Sequence, residues 1–217
     1  MWSSAKQGLA RLARAINRLA PGLKRLLPKP VHRFILLHLM DANRAYVALP
    51  ALASRRFMER EVLPWLRASC ARILFVGTAS YTHHYERLFR HDPGQFTTID
   101  SNPAVAVWGA PQHIVAPIQE IGRVRPDALF DVVVLNGVFG FGVDDPATMA
   151  DVIAAVHQAL RPGGRLVLGW NVDLHADPAT LGVIGPWFVP DEASPWGFRK
   201  TFDGEFHVND FYARANV

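Results

Sequence analysis

A glycine turn followed by a carboxylate is the feature of this chain that most directly indicates chemistry. One apolar segment ends at Gly77, and Asp100 ends the next apolar segment. A strand, a tight turn, a helix and a second strand ending in an acid form half of a nucleotide-binding unit, in which the acid binds ribose hydroxyls. Ala79 and Tyr81 stand where a pyrophosphate would require glycine. The pattern therefore favours a phosphate-free adenosyl ligand over NAD.

Three histidines are candidate catalytic bases. His83 and His84 follow the glycine turn, and His175 follows the fifth predicted strand. Ligand sites of open α/β sheets gather at the carboxyl ends of the strands, and histidine is the most frequent general base. Adjacent histidines do not share a helix face, so at most one of the first two is expected to face a cleft. A packing or surface role remains the alternative for each of them. No ligand spacing indicates a metal site.

The pattern beyond residue 72 alternates strand and helix. Further apolar strands are predicted at 113–117, 130–136 and 165–171, with a helix between the last two that begins around Asp144. Asp203-Gly204 then separates two aromatic-rich segments, which is a strong hairpin signal. We therefore expect five parallel strands closed by an antiparallel hairpin.

Residues 72–212 resemble the class I S-adenosylmethionine (SAM)-dependent methyltransferases, with a methyltransferase type 11/12-like domain. Three motifs carry the resemblance: 73–77 with Asp100 downstream, 130–135, and the Leu-Arg-Pro-Gly-Gly segment that opens 160–168. The resemblance implies an α/β, Rossmann-like fold with a mostly parallel seven-stranded sheet that ends in an antiparallel hairpin. It also implies S-adenosyl-L-methionine as the cofactor.

The resemblance and the strand ends together give a set of predicted site residues. The residues expected to bind the cofactor are Gly77, Thr78, Ala79, Ser80, Asp100, Ser101, Asn136, Gly137 and Val138. The residues expected to contact the methyl acceptor are Tyr81, Phe141, Asp173 and Trp187. The predicted activity is methyl transfer to a small-molecule or lipid- or glycan-linked acceptor by in-line displacement, in which alignment supplies most of the catalysis.

Two departures from the family pattern leave an alternative function open. Phe75 replaces an acid that often stands in the first strand, and Pro117 falls where many members carry an acid near the adenine amino group. A catalytically inactive SAM-binding or interaction module is therefore the first alternative. An NAD-linked oxidoreductase is the second, and Ala79, Tyr81 and the terminal hairpin argue against it.

The amino-terminal part of the chain differs from the rest in charge. Residues 1–40 hold eight Lys and Arg residues and no acid, whereas the other 15 basic residues of the chain are outnumbered by 19 acids. Leucine and arginine recur at helical spacing within 1–30 on opposite faces, which predicts a basic amphipathic helix. Such a helix could bind an anionic membrane surface, the body of the protein or a partner subunit. It could also be a mitochondrial presequence.

These observations divide the chain into three predicted parts. Residues 1–30 form the amphipathic extension, 31–68 a helical lead-in, and 69–217 the SAM-binding domain. The predicted location is cytoplasmic, with peripheral attachment to the inner membrane face as an option and the mitochondrion if the source is eukaryotic. The net negative charge of the body argues against a nucleic-acid partner.

Overall fold

The computed structural model describes residues 27–39, 51–127 and 129–216. Almost all of the predicted amphipathic extension, 1–30, lies outside the described residues, and its helix remains a prediction. Within the described part of the chain, no helix is both long and apolar enough to cross a membrane.

A mixed sheet of eight strands forms the centre of the molecule. The strands are β1 Ile73–Val76, β2 Phe96–Asp100, β3 Gln112–Val115, β4 Phe130–Asn136, β5 Leu160–Asn171, β6 Phe188–Pro190, β7 Arg199–Thr201 and β8 His207–Arg214. Their order is β3-β2-β1-β4-β5-β8-β6, and β7 also pairs with β8. Strands β1 to β5 are parallel and β8 runs antiparallel to β5, as predicted. The order reverses between β1 and β4, where ligands of such sheets bind.

The far edge of the sheet differs from the prediction by one strand. β6 pairs with Tyr212, Ala213 and Arg214 of β8, and β7 pairs with the stretch from Val208 to Asp210. Two three-residue strands thus share the outer edge of β8, which gives eight strands instead of seven. The predicted Asp203-Gly204 turn joins β7 to β8, and Gly204 has a φ of +72°, which suits glycine.

Five α-helices are described. They are α1 Lys29–Leu39, α2 Ala53–Phe57, α3 Leu63–Ser69, α4 Ile121–Val124 and α5 Pro146–Ala159. A π-helical turn, Met58–Val62, joins α2 to α3, and Leu63 N–H donates to Met58 O. Pro64 has no N–H to donate to an α-helical partner, so it lies in the first turn of α3, directly after the wider π turn.

The helix predicted between β1 and β2 does not form, and that prediction is wrong. Turns follow Gly77, and the only helical segment of this connection is the short 3-10 helix Tyr85–Phe89. Thr82 Oγ1 accepts from Ala79 N and donates to Ala79 O, both at 3.0 Å. This local side-chain bonding offers the backbone an alternative to a helix, and the neighbouring aromatic and histidine residues are weak helix formers.

Helices cover both faces of the sheet. On one face α5 places Val152 and Val156 against Leu135 and Leu168 of the central strands. On the other face the continuous helical segment 53–69, which comprises α2, the π turn and α3, packs on a second core that includes Phe75 and Phe211. The segment 53–69 therefore lies over the same sheet face as the polar residues that end β4 and β5.

Candidate functional site

Three cavities lie along the carboxyl ends of β1, β2 and β4 and share the lining residue Gly137. The central cavity, of about 90 Å³, lies over the glycine turn. The β3-side cavity, of about 210 Å³, extends past Asp100 to the residues after β3. The β8-side cavity, of about 140 Å³, lies between α2 and the ends of β5 and β8. Together they form one site at the switch point of the sheet.

The glycine turn and Asp100 are fixed against each other. Gly77 has a φ of +86°, and a Cβ on it would lie 3.1 Å from Asn136 O. Asp100 Oδ2 accepts from Thr78 N at 2.7 Å, and its Oδ1 accepts from Asn102 N at 2.8 Å. Each carboxylate oxygen thus keeps lone pairs for a ligand while the backbone holds its orientation.

Eight of the nine residues predicted to bind the cofactor line these cavities. They are Gly77, Thr78, Ala79, Asp100, Ser101, Asn136, Gly137 and Val138. Ser80 is the exception, and its carbonyl accepts a 2.6 Å hydrogen bond from His83 Nδ1. Whether any of the nine binds a cofactor remains a prediction.

Two of the four residues predicted to contact the acceptor line the cavities, namely Tyr81 and Phe141. Asp173 is exposed in the turn after β5 and lines none of the three. Trp187 packs against His157, with ring centroids 4.9 Å apart. Because α5 ends just after His157 and β5 begins there, Trp187 lies near the amino ends of the parallel strands, away from the site.

None of the three histidines predicted as bases lines the three cavities. His83 is buried against Trp108, His84 pairs with Glu59 at 3.3 Å, and His175 stacks on Trp170 at 5.5 Å. The absence of the expected helix after Gly77 accounts for the first two placements. Among the residues that the structure describes, no group of three or more His, Cys, Asp or Glu side chains could hold a metal ion.

The β8-side cavity contains a histidine that the sequence analysis missed. His207 Nδ1 donates to Asn171 Oδ1 at 2.9 Å, so the lone pair of the neutral imidazole is on Nε2. Burial and the positive charge of Arg55 lower the pKa of His207 to about 4. Its imidazole is therefore neutral near pH 7.

A glycine in β5 makes room for the polar groups of this cavity. Gly169 pairs with Asn136 across the parallel ladder, and a Cβ on it would overlap Asn136 Oδ1 and approach His207 Cε1 to 3.1 Å. The absence of a side chain at Gly169 thus lets Asn136 and His207 lie side by side on one sheet face.

Arg55 of α2 forms the opposite wall and was also missed. Arg55 Nη1 donates to Tyr85 Oη at 2.9 Å, and its guanidinium carbon lies 4.4 Å from the centroid of the Tyr81 ring. No sequence motif surrounds Arg55. For His207, the alternation of β8, which puts His207 and Asn209 on one strand face, was the available signal.

The helix that carries Arg55 is held in place by the terminal hairpin. The carboxylate of Glu205 accepts from Ala53 N and from Ser54 N, the latter at 3.1 Å, and so caps the first turn of α2. A carboxylate at this position bonds the unpaired N–H groups of the turn and interacts favourably with the helix dipole. The wall of the β8-side cavity is therefore tied to the β7–β8 turn.

Replacing Glu205 with alanine is expected to lower the free energy of unfolding by about 1 kcal/mol, since the cap of α2 is lost. Urea unfolding followed by circular dichroism measures the change. Asp203→Ala is the matched control, because Asp203 is an exposed acid of the same turn. Equal stability of Glu205→Ala and the wild type would show that the cap contributes nothing.

The solved structures that resemble this chain share one fold. No protein-family model and no curated protein matches the sequence. The chain resembles the N-methyltransferase NodS from Bradyrhizobium japonicum WM9, crystallised with S-adenosyl-L-homocysteine, with a TM-score of 0.57 at 18% identity over 77% of this chain and 91% of that chain. It also resembles 1,6-didemethyltoxoflavin-N1-methyltransferase from Burkholderia thailandensis, with a TM-score of 0.52 at 15% identity over 91% of both chains.

A TehB-like SAM-dependent methyltransferase from Corynebacterium glutamicum gives a TM-score of 0.50 at 15% identity, over 70% of this chain and 87% of that chain. These likenesses, with the strand order and the antiparallel end of the sheet, establish the fold. The chain has the Rossmann-like fold of the class I SAM-dependent methyltransferases, as its motifs predicted.

Proposed function

We propose that this protein is a SAM-dependent methyltransferase that acts on a small-molecule acceptor or on a small group linked to a lipid or glycan. The observation that carries the proposal is the set of three cavities at the switch point, with Gly77 and Asp100 held together beneath them. Likeness to proteins crystallised with S-adenosyl-L-homocysteine supports the choice of cofactor.

The residues present fit an adenosyl cofactor. The free lone pairs of Asp100 suit a ribose diol, since two hydroxyl donors need two acceptor oxygens. The β3-side cavity offers Pro117, Ile118 and Val138 as apolar walls for a planar base. Phe75, which stands where an acid was expected, is buried against Tyr85 with ring centroids 5.5 Å apart. Its replacement of an acid therefore leaves no void in the wall of the central cavity.

The β8-side cavity suits the acceptor. The bound cofactor would supply an electrophilic methyl group, and the chain's own residues would align the acceptor and exclude water. Tyr81, Met58 and Phe141 form apolar walls, and Asn136 offers an amide beside them. The neutral imidazole of His207 is available to accept a proton from the acceptor through Nε2.

The size of this cavity favours a small acceptor. About 140 Å³ is close to the volume of an engineered cavity that binds benzene. One structural relative was crystallised with 1,6-didemethyltoxoflavin, a small molecule. For a lipid- or glycan-linked acceptor, only the reacting group would enter, and the predicted basic extension 1–30 would hold the protein at an anionic membrane on the cytoplasmic side.

Isothermal titration with SAM, S-adenosyl-L-homocysteine and NAD⁺ tests the cofactor. We expect both adenosyl sulfur ligands to bind and NAD⁺ not to bind, because Ala79 and Tyr81 occupy the positions at which pyrophosphate needs glycine. Failure of both sulfur ligands to bind would refute the proposed function.

A catalytically inactive SAM-binding module is the second candidate. It is favoured by Phe75, by Pro117 and by the position of the three predicted catalytic histidines outside the cavities. An inactive module is also expected to bind SAM and S-adenosyl-L-homocysteine, but it would not transfer a methyl group. A screen of small amines, phenols and carboxylic acids with radiolabelled SAM separates the two, since turnover of any acceptor that depends on His207 excludes the inactive module.

A further inference from the structure

Arg55 lies at the wall shared by the β8-side cavity and the central cavity, and within the described part of the chain no carboxylate contacts it. Among the described residues, no Asp or Glu oxygen lies within 4.0 Å of its guanidinium, although six other basic side chains form such contacts with an acid. Its guanidinium instead contacts the Tyr85 hydroxyl and the Tyr81 ring. A half-buried charge that lacks a counter-ion is costly, and an anionic ligand would offset that cost.

Two acids lie near Arg55 without contacting it. Glu59 lies 3.3 Å from His84 and is close enough for its charge to act on Arg55, and Glu205 accepts hydrogen bonds from the first turn of α2. None of the described acidic residues lines the β8-side cavity, and the titratable groups that line it are Arg55, Tyr81 and His207. The cavity is therefore electropositive when His207 is neutral.

The remaining walls of the cavity suit a flat ring with polar substituents. Tyr81, Trp170 and Phe141 are aromatic, and Phe141 is 62% exposed at the rim. Asn136 and Asn171 supply amide groups on the sheet side. Aromatic walls with a few polar groups and one cation are typical of sites for small organic anions.

We propose that the methyl acceptor is a small, flat carboxylic acid whose carboxylate is bound by Arg55. This inference rests on the proposed function. Arg55 is suited to the role because its guanidinium can donate two parallel hydrogen bonds to one carboxylate. The acceptor's amino or hydroxyl group would then lie between Asn136 and His207.

The methyl transfer balances with these residues. With the cofactor bound, the nitrogen or oxygen of the acceptor would form a bond to the methyl carbon, and the carbon–sulfur bond would break with its electron pair remaining on sulfur. The acceptor's proton would pass to Nε2 of His207. Burial and the charge of Arg55 lower the pKa of His207, and a carboxylate bound to Arg55 would counteract the part of this shift that comes from the charge.

Benzoate and its neutral counterpart benzamide serve as probes. We expect titration of the S-adenosyl-L-homocysteine-saturated protein to give about tenfold tighter binding of benzoate than of benzamide, as one charge-assisted bond predicts. In Arg55→Met the benzoate affinity should fall by about tenfold and the benzamide affinity should stay unchanged. Arg56→Met is the matched control, since Arg56 is the next residue of α2 and is exposed.

Three results would overturn the proposal. They are equal affinity of the wild type for benzoate and benzamide, retention of benzoate binding in Arg55→Met, and loss of S-adenosyl-L-homocysteine affinity in that variant. The last would mean that Arg55 binds the cofactor's own carboxylate. Arg55→Lys keeps the positive charge but loses the two parallel N–H donors of the guanidinium, so it should bind benzoate with intermediate affinity. This variant tests the proposal if Arg55→Met does not fold.

The same titrations separate this proposal from the proposed function. If the wild type binds neither SAM nor S-adenosyl-L-homocysteine, the methyltransferase function fails, whatever benzoate does. If the cofactor binds and benzoate shows no preference over benzamide, only the identity of the acceptor fails.

Discussion

Replacing Asp100 with alanine is expected to lower the affinity for S-adenosyl-L-homocysteine by about two orders of magnitude, since two hydrogen bonds to a charged group are lost. The same substitution removes the acceptors of Thr78 N and Asn102 N, so the turn beneath the ligand also loosens. Isothermal titration of the variant against the wild type measures the effect. Unchanged affinity would exclude Asp100 from the cofactor site.

Asp131→Ala provides the control for this prediction. Asp131 also accepts two backbone hydrogen bonds, from Ala71 N and Arg72 N, and it pairs with Arg161. It lies at the beginning of β4, at the opposite edge of the parallel strands from Asp100. We therefore expect Asp131→Ala to lower stability and to leave S-adenosyl-L-homocysteine affinity unchanged. An equal loss of affinity in both variants would indicate a general effect of instability.

The second large effect is a loss of stability in mild acid that depends on His207. Its pKa is about 4 in the folded protein and near 6.5 in an unfolded chain. Between these values the unfolded chain binds more protons, so stability falls as the pH decreases from 7 to 4 and levels off below. At pH 5 the titration of His207 is expected to lower the free energy of unfolding by about 2 kcal/mol relative to pH 7.

Urea unfolding of the wild type and of His207→Asn at pH 7 and pH 5 tests the prediction. The wild type should lose about 2 kcal/mol more than His207→Asn over this interval. The asparagine amide retains a donor near the position of Nδ1, so the bond to Asn171 can persist. His83, His113 and His157 also have pKa values lowered by burial, and their contribution is common to both proteins.

His91→Asn is the control, since His91 is exposed on the surface. This variant should lose stability between pH 7 and pH 5 to the same extent as the wild type. If His207→Asn also behaves like the wild type, the conclusion that the half-buried His207 stays neutral in the folded protein is wrong.

Much of the fold could be predicted because its signals are local. The apolar runs gave the end of β2 at Asp100 and both bounds of β4. The helix predicted to begin around Asp144 is α5, whose cap Asp145 accepts from Thr148 N at 2.9 Å. The Asp203-Gly204 turn likewise depends only on neighbouring residues. The prediction of a helix after Gly77 was wrong because Thr82 forms hydrogen bonds with Ala79 that compete with helical ones.

The residues of the candidate site show the same difference between local and long-range signals. Residues at the ends of β1, β2 and β4 were predicted because the strand pattern places them at one edge. Arg55 and His207 were not, because long-range packing brings them there. Arg55 reaches the cavity through the capping of α2 by Glu205, which is 151 positions away from Ser54 in sequence. His207 enters it through the pairing of β8 with β5, in which Asn171 lies opposite.

The shared outer edge of β8 bears on how these molecules behave at high concentration. An eight-residue strand with open N–H and C=O groups would be a template for a strand from another molecule. Here β6 and β7 cover parts of that edge, and each offers only three residues on its own far side. Pro190 further removes a donor from β6. This end of the sheet thus resists intermolecular strand addition and the aggregation that follows from it.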